Sequence, residues 1–175
     1  MQLFIGYTNG NIDVLENNVI TNYPFIKEKV ILASKAINNI IFNNDKDIIA
    51  TGYGISVFDI DKKELKTSYY IGKNNTFLKV NDIVLLNNYI YTATDSGIVY
   101  ADTTKDLTDF NNWKKDTSLF KAKFNLIEEW NGKLWANYAS NIYNGDTCYI
   151  KSQSGWIKAP ASVCRNSYSL EKGIT

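Results

Sequence analysis

Gly54-Ile55-Ser56-Val57-Phe58-Asp59 and Gly97-Ile98-Val99-Tyr100-Ala101-Asp102 are two versions of one phrase, and Gly10-Asn11-Ile12-Asp13-Val14 is a third. Their leading glycines stand 44 and 43 residues apart. Upstream of the two later copies lies a second recurrent phrase, Ile37-Asn38-Asn39-Ile40 and Val80-Asn81-Asp82-Ile83, and it returns as Phe124-Asn125-Leu126-Ile127. Each is followed by an Asn-led turn, at Asn44-Asp45, Asn87-Asn88 and Asn131-Gly132, and then by another apolar run such as Ile48-Ile49-Ala50-Thr51. The runs are β-branched and aromatic, too short for ordinary helices, and separated by residues that tolerate the positive φ of tight hairpins. A period of this length built from short strands predicts β-propeller blades.

The expected fold is therefore all-β, a propeller segment of about four blades of four-stranded antiparallel sheets. Blade remnants are expected at residues 1–30, 31–75, 76–121 and 122–165, with a tail at 166–175. Within the second unit, Ile37–Phe42 is read as the innermost strand, Asp47–Thr51 as the next, Gly54–Asp59 as the third and Leu65–Ile71 as the outer one. The first unit begins at its second strand, Leu3–Thr8, with no innermost strand before it. The chain is accordingly expected to form part of a larger ring, because an isolated arc leaves apolar blade faces bare.

Bulk composition excludes several classes of function. Of the 175 residues, 45% are hydrophobic and 14% aromatic, which argues for a folded domain. A formal net charge of +1 gives no general attraction to nucleic acid. No apolar run approaches the ~20 residues of a membrane-spanning helix. Met1-Gln2-Leu3-Phe4 runs straight into a strand pattern with no export signal. With no histidine, the chain lacks Ser-His-Asp and Cys-His constellations, His-ligated zinc and the commonest general base. Neither a phosphate-binding loop nor a nucleophile elbow is present, and Gly52-Tyr53-Gly54 joins two strands with no helix following. No enzyme, cofactor or metal is expected.

Three sets of polar residues invite weighing. Asp59-Ile60-Asp61 with Glu64 has a calcium-loop flavour but lacks the ligand spacing, so a solvated hairpin tip is favoured. Glu128 and Glu129 are adjacent on a strand and point to opposite faces, so they form no catalytic pair. Cys148 and Cys164 are either small buried side chains or a disulfide.

Asn38, Asn81 and Asn125 are repeat equivalents at the start of innermost strands. They would tie each strand to the neighbouring blade or, at the channel mouth, hydrogen-bond sugar or phosphate oxygens. The loops at the same end supply Thr8, Asn9, Tyr53, Asp95 and Ser96, with Lys73, Asn74 and Asn75 from an interblade connection. Of these, Tyr53, Asp95 and Lys73 join the three asparagines as candidate ligand-binding residues. Aromatic faces beside amides and a cation suit an anionic glycan, and they equally suit solvated turns.

Several phrases together resemble PorZ-type propellers of Bacteroidota. They are Gly6-Tyr7-Thr8-Asn9-Gly10-Asn11-Ile12-Asp13, Ile37-Asn38-Asn39-Ile40, Gly52-Tyr53-Gly54-Ile55-Ser56-Val57-Phe58-Asp59 and Thr67-Ser68-Tyr69-Tyr70-Ile71-Gly72. Ala93-Thr94-Asp95-Ser96-Gly97-Ile98, Asp109-Phe110-Asn111-Asn112-Trp113 and Asn131-Gly132-Lys133-Leu134-Trp135-Ala136-Asn137-Tyr138 follow in order. The chain is similar, more loosely, to two-component regulator propellers. The PorZ resemblance implies a non-enzymatic binding and assembly module in type IX secretion, in the periplasm or at the outer-membrane surface. Implied partners are sortase and attachment-complex proteins and anionic lipopolysaccharide. The looser resemblance implies a polysaccharide-sensing ectodomain of a hybrid regulator. Against this non-enzymatic expectation stands a third alternative, a propeller hydrolase or lyase using carboxylates from other blades.

Overall fold

The structure is a computed structural model that describes residues 2–43, 46–59, 61–142 and 145–160. The first sheet holds β1 (Gln2–Gly6), β2 (Ile12–Glu16) and β3 (Val19–Tyr23), followed by a one-turn helix, α1 (Phe25–Glu28). The second runs β4 (Ile37–Asn43), β5 (Lys46–Thr51), β6 (Gly54–Asp59) and β7 (Glu64–Tyr69). The third runs β8 (Val80–Leu86), β9 (Tyr89–Thr94), β10 (Gly97–Asp102) and the two-residue β11 (Lys114–Lys115). The fourth runs β12 (Phe124–Trp130), β13 (Lys133–Tyr138), β14 (Thr147–Ser152) and β15 (Gly155–Lys158). Within every sheet strand order follows chain order and all pairings are antiparallel.

Turn chemistry sets the hairpins. Asn87 and Asn88 take φ of 50° and 62°, and Asn131 and Gly132 take 53° and 73°, the two positive values a tight hairpin needs to match strand twist. Asn17-Asn18 joins β2 to β3 in the same way, with φ of 50° and 62°. The expected turn at Asn44-Asp45 lies outside the described residues. Gly54 opens β6 at φ 145°, and a Cβ there would sit 2.3 Å from the Tyr69 carbonyl; Gly10 and Gly97, which lead the other copies of the phrase, share the positive φ at 88° and 122°.

The sheets stack face to face as successive blades of a propeller arc. β8 packs against β4 and β5 on one side, and β12 packs against β8 and β9. Three apolar clusters fill the three seams. The first joins Ile12, Val14, Tyr23 and Ile26 to Ile49, Tyr53 and Phe58. The second joins Ile48, Ala50 and Ile55 to Val80, Ile83 and Ile90, and the third joins Val84, Ala93 and Ile98 to Phe124, Ile127 and Leu134. Small residues let the blades close together. Gly6 meets Ile37 so tightly that a Cβ would lie 2.5 Å from its Cγ2, and Ala50 and Ala93 fill the equivalent places.

The expected strands match those observed to within one or two residues at most ends, and the expected all-β propeller segment is the fold. The first sheet has three strands among the described residues. By register of its glycine phrase they are the second, third and outer strands of a blade. The one-turn α1 was not anticipated; it places Ile26, fully buried, beneath the first seam.

Candidate functional site

Each inner strand carries a β-bulge one residue in. Register slips between Ile37 and Asn39 in β4, between Val80 and Asp82 in β8, and between Phe124 and Leu126 in β12. The slipped residues are Asn38, Asn81 and Asn125, the three asparagines singled out by the repeat. A bulge re-aims the extra side chain out of the ladder. Asn38 Nδ2 therefore donates to the Val80 carbonyl of the next blade at 2.6 Å, and Asn81 Nδ2 to the Phe124 carbonyl at 2.8 Å. Asn81 Nδ2 also donates to Asp95 Oδ1 at 2.8 Å. Asn125 accepts through Oδ1 from Asn137 Nδ2 at 2.8 Å.

The amides of Asn38 and Asn81 thus make the interblade ties that sequence raised as one of two roles. Asn38 and Asp95 are exposed and Asn81 is half-buried. Lys73 and Asn75 are exposed in the β7–β8 connection, where Asn74 and Asn75 both hold φ of 57°. Asn9 Oδ1 caps the Asn11 N–H in the first sheet's turn at 3.0 Å, and the Ser96 N–H donates to Thr94 Oγ1 at 3.1 Å.

Tyr53 does not reach this surface. Its side chain is 0% exposed, packed in the first seam with its hydroxyl 2.6 Å from Ser56 Oγ. The turn explains the difference. Thr51 Oγ1 donates to the Gly54 carbonyl and receives the Tyr53 N–H, which folds the ring inward. The ammonium of Lys29 sits 5.7 Å from the Tyr53 ring and 5.8 Å from that of Tyr70.

Sequence reasoning missed the strongest polar ladder. One residue beyond the bulge, Asn39 Nδ2 donates to Asp82 Oδ1 across the second seam. Asp82 then receives the Ile83 N–H at 2.9 Å and, through Oδ2, the Ile127 N–H of the fourth blade at 2.8 Å. One buried carboxylate so bridges three inner strands. Its signal was the polar pair Asn39/Asp82 at a position held by Leu126 in the last copy.

Two further carboxylates are unusual. Asp116, buried beside the third and fourth blades, receives Lys151 Nζ, the Ser118 hydroxyl and Trp156 Nε1. Burial alone would raise its pKa, but these donors outweigh it and hold the carboxyl down at about 2. Asp47 on β5 is 0% exposed with neither oxygen hydrogen-bonded, and burial pushes its carboxyl up to about 6. At the outer face of the first sheet, hydrogen bonds from Asn22, Tyr7 and Asn11 hold Asp13 below the usual carboxylate range.

The other weighed groups have structural places. Asp59 Oδ1 receives the Lys62 N–H at 3.0 Å, the geometry of a hairpin tip, and Asp61 and Glu64 are exposed. Glu129 Oε1 caps the Gly132 N–H at 2.6 Å. Cys148 is buried with Sγ 3.6 Å from Asn137 Oδ1, and Cys164 lies outside the described residues. Among the described residues, no cluster of three or more His, Cys, Asp or Glu could hold a metal ion. No helix among them is long and apolar enough to cross a membrane.

Comparison with solved structures bears on the fold. PorZ of Porphyromonas gingivalis, described as an essential bacterial surface component of the type IX secretion system, superposes with a TM-score of 0.67. Identity is 20% over 90% of this chain and 20% of that one. The extracellular domain of a one-component system of B. thetaiotaomicron gives a TM-score of 0.64 at 16% identity, over 99% of this chain and 22% of its own. That of a hybrid two-component system of the same organism gives 0.62 at 13%, over 90% and 23%. This chain thus spans about a fifth of the length of each of these structures. No curated protein matches it significantly in sequence. The family profile of the type IX secretion PorZ N-terminal β-propeller domain matches residues 1–114, well over half of the 175. The chain belongs to the family of PorZ N-terminal β-propeller domains.

Proposed function

We infer that this chain is a non-enzymatic recognition and assembly module of type IX secretion at the cell envelope. The observation that carries this reading is the family match across the first two blades and most of the third. The structure supports it in kind. Its polar groups are spent on blade-to-blade ties, as at Asn38, Asn81 and Asp82, which makes the rim a rigid support. Rigid supports serve binding by holding loops in place, so that little ordering entropy is lost when a partner docks.

The partners are attachment-complex proteins, the sortase among them, and an anionic glycan such as lipopolysaccharide. Lys73 would supply the cation, with Asn38 and Asn125 offering amide N–H groups, Asn81 offering its Oδ1 to a sugar hydroxyl and Asp95 setting a local limit on anion approach. Tyr53, being buried, would support this surface from beneath. The protein containing the complete ring, titrated with purified anionic lipopolysaccharide, should bind saturably. Binding should weaken several-fold in Lys73→Ala and with rising salt. Absence of saturable binding would remove the glycan from the proposal. Failure of the same protein to co-purify with attachment-complex proteins would remove the assembly role. The sensing-ectodomain alternative has fold likeness on its side, whereas the family match favours secretion.

A further inference from the structure

Two residues before the small residues Gly6, Ala50 and Ala93 stand Phe4, Ile48 and Tyr91, each paired across its sheet with Val14, Val57 and Tyr100 in turn. In two seams this place holds a ring that meets other rings. The Phe4 centroid lies 5.3 Å from that of Phe42 and 6.3 Å from that of Phe58, and Tyr91 stacks on Tyr100 at 5.6 Å. The seam between the second and third blades has the aliphatic pair Ile48 and Val57 instead, and there a cleft of about 440 Å³ opens. Leu85 and Ile90 form its facing wall. Both blades carry all four strands, so the cleft belongs to a complete seam.

The third blade adds an outer wall. Residues 103–113 join β10 to β11, where residues 60–63 and 153–154 suffice in the second and fourth sheets. This insertion brings Leu107 to the cleft, beside Tyr69 of the second blade. It is firmly tied. The Thr103 N–H and hydroxyl donate to the Asn88 carbonyl at 2.8 and 2.9 Å, and Trp113 Nε1 donates to the Leu107 carbonyl at 2.9 Å. The Trp113 ring centroid lies 6.3 Å from that of Tyr69. Exposed Asn43, Asn87 and Asn88 stand at the mouth.

We propose that this cleft receives a tyrosine or phenylalanine side chain presented by an extended segment of a protein partner. The flanking seams specify the ring: each fills the same register position with one, and aromatic contacts add to what burial alone supplies. The volume accommodates a ring with its flanking backbone and falls in the range of binding clefts. Asparagine amides both donate and accept, which matches the peptide groups on either side of the ring. β8 runs from its bulge at Asn81 to Leu86, so the cleft lies at the opposite end of the strand from the groups invoked for glycan binding and does not rest on that reading.

The test titrates the 175-residue chain, labelled at isoleucine and valine methyls, with the capped tripeptide acetyl-Gly-Tyr-Gly-amide, its leucine counterpart and p-cresol. The tyrosine peptide should bind saturably and shift the methyls of Ile48, Val57 and Ile90. Its affinity should exceed that of the leucine peptide about five-fold. Val57→Tyr puts into the cleft the ring that Tyr100 supplies in the next seam and should abolish the shifts; Ile48→Tyr, copying Tyr91, is the second blocking variant. Equal binding of the two peptides, shifts confined to other residues, or binding that survives in a folded blocking variant overturns the proposal. So does p-cresol binding as tightly as the tyrosine peptide, the mark of a free aromatic compound as occupant. Concentration-dependent shifts of the same methyls in the chain alone overturn it too, in favour of a second copy.

Discussion

The carboxylate of Asp82 on the third blade's inner strand receives the backbone N–H of Ile127 on the fourth at 2.8 Å, while its other oxygen holds the Asn39 side chain of the second. The apolar seams are non-directional; this ladder, together with the Asn38 and Asn81 amide ties, fixes how far each inner strand slides against the next. Charge-assisted bonds to a buried carboxylate are among the stronger polar contacts in a protein.

Replacing Asp82 by alanine should therefore destabilise the chain by about 2–4 kcal/mol, since it leaves the buried Ile127 donor unpaired. Asp82→Asn should cost less, because one oxygen acceptor remains. Urea denaturation of both variants measures this, and a loss below about 1 kcal/mol for Asp82→Ala would show that the ladder carries little.

The seam between the first two blades depends on a missing methyl. A Cβ at Gly6 would lie 2.5 Å from Ile37 Cγ2. Gly6→Ala should cost about 1–3 kcal/mol through overpacking. Combining it with Ile37→Ala, which empties the contested volume, should cost less than the sum of the two single changes. Additive losses in a double-mutant cycle would mean that the two positions do not meet.

Asp47 gives stability an inverted pH dependence. Its folded-state pKa of about 6 lies above the ordinary 3.8, so the folded chain holds this proton more tightly than the unfolded one. Its contribution is fully present below about pH 4 and is lost as pH rises through about 6. Asp47→Leu matches the apolar residues Ile90 and Leu134 at the equivalent positions of β9 and β13. It should stabilise the chain by roughly 1–3 kcal/mol at pH 7 and by much less at pH 4. Thermal melts of both proteins across that range check the sign; an equal effect at both pH values would contradict it.

Asp116 runs the other way. Its carboxyl, held at about 2 by Lys151, Ser118 and Trp156, stabilises the fold above about pH 4 and loses that contribution as pH falls toward 2. Asp116→Asn should cost about 1–3 kcal/mol at pH 7, with the gap from wild type narrowing toward pH 2. A gap independent of pH, measured by denaturant titration, would point to packing as the cause.

What the sequence made legible follows from where its information is local. Hairpins were readable because Asn87-Asn88 and Asn131-Gly132 carry their backbone preference in two adjacent residues. Three of the four blades were readable from the glycine phrase, whose leading Gly10, Gly54 and Gly97 all hold a positive φ, and the fourth from the returning Phe124-Asn125-Leu126-Ile127 start. The bulges were less so. Asn38, Asn81 and Asn125 stood out by recurrence, but only strand register shows that they are extra residues, aimed at the next blade in the first two cases. Tyr53 stood among the rim candidates because an aromatic face beside amides and a cation suits a glycan; the Thr51 hydroxyl, clamping the turn, decides that the ring goes inward. Long-range partners such as Asn39, Asp82 and Ile127 lie more than forty residues apart and share no local signature.

The most direct check is a nuclear Overhauser spectrum of the amide-labelled chain, read at the inner strands. Radial stacking requires cross-peaks from the Asn38 side-chain amide to Val80 and from the Asn81 amide to Phe124, with the Ile127 amide slow to exchange. Cross-peaks placing β4, β8 and β12 apart, or pairing them edge to edge in one continuous sheet, would contradict the propeller and the rigid rim built upon it.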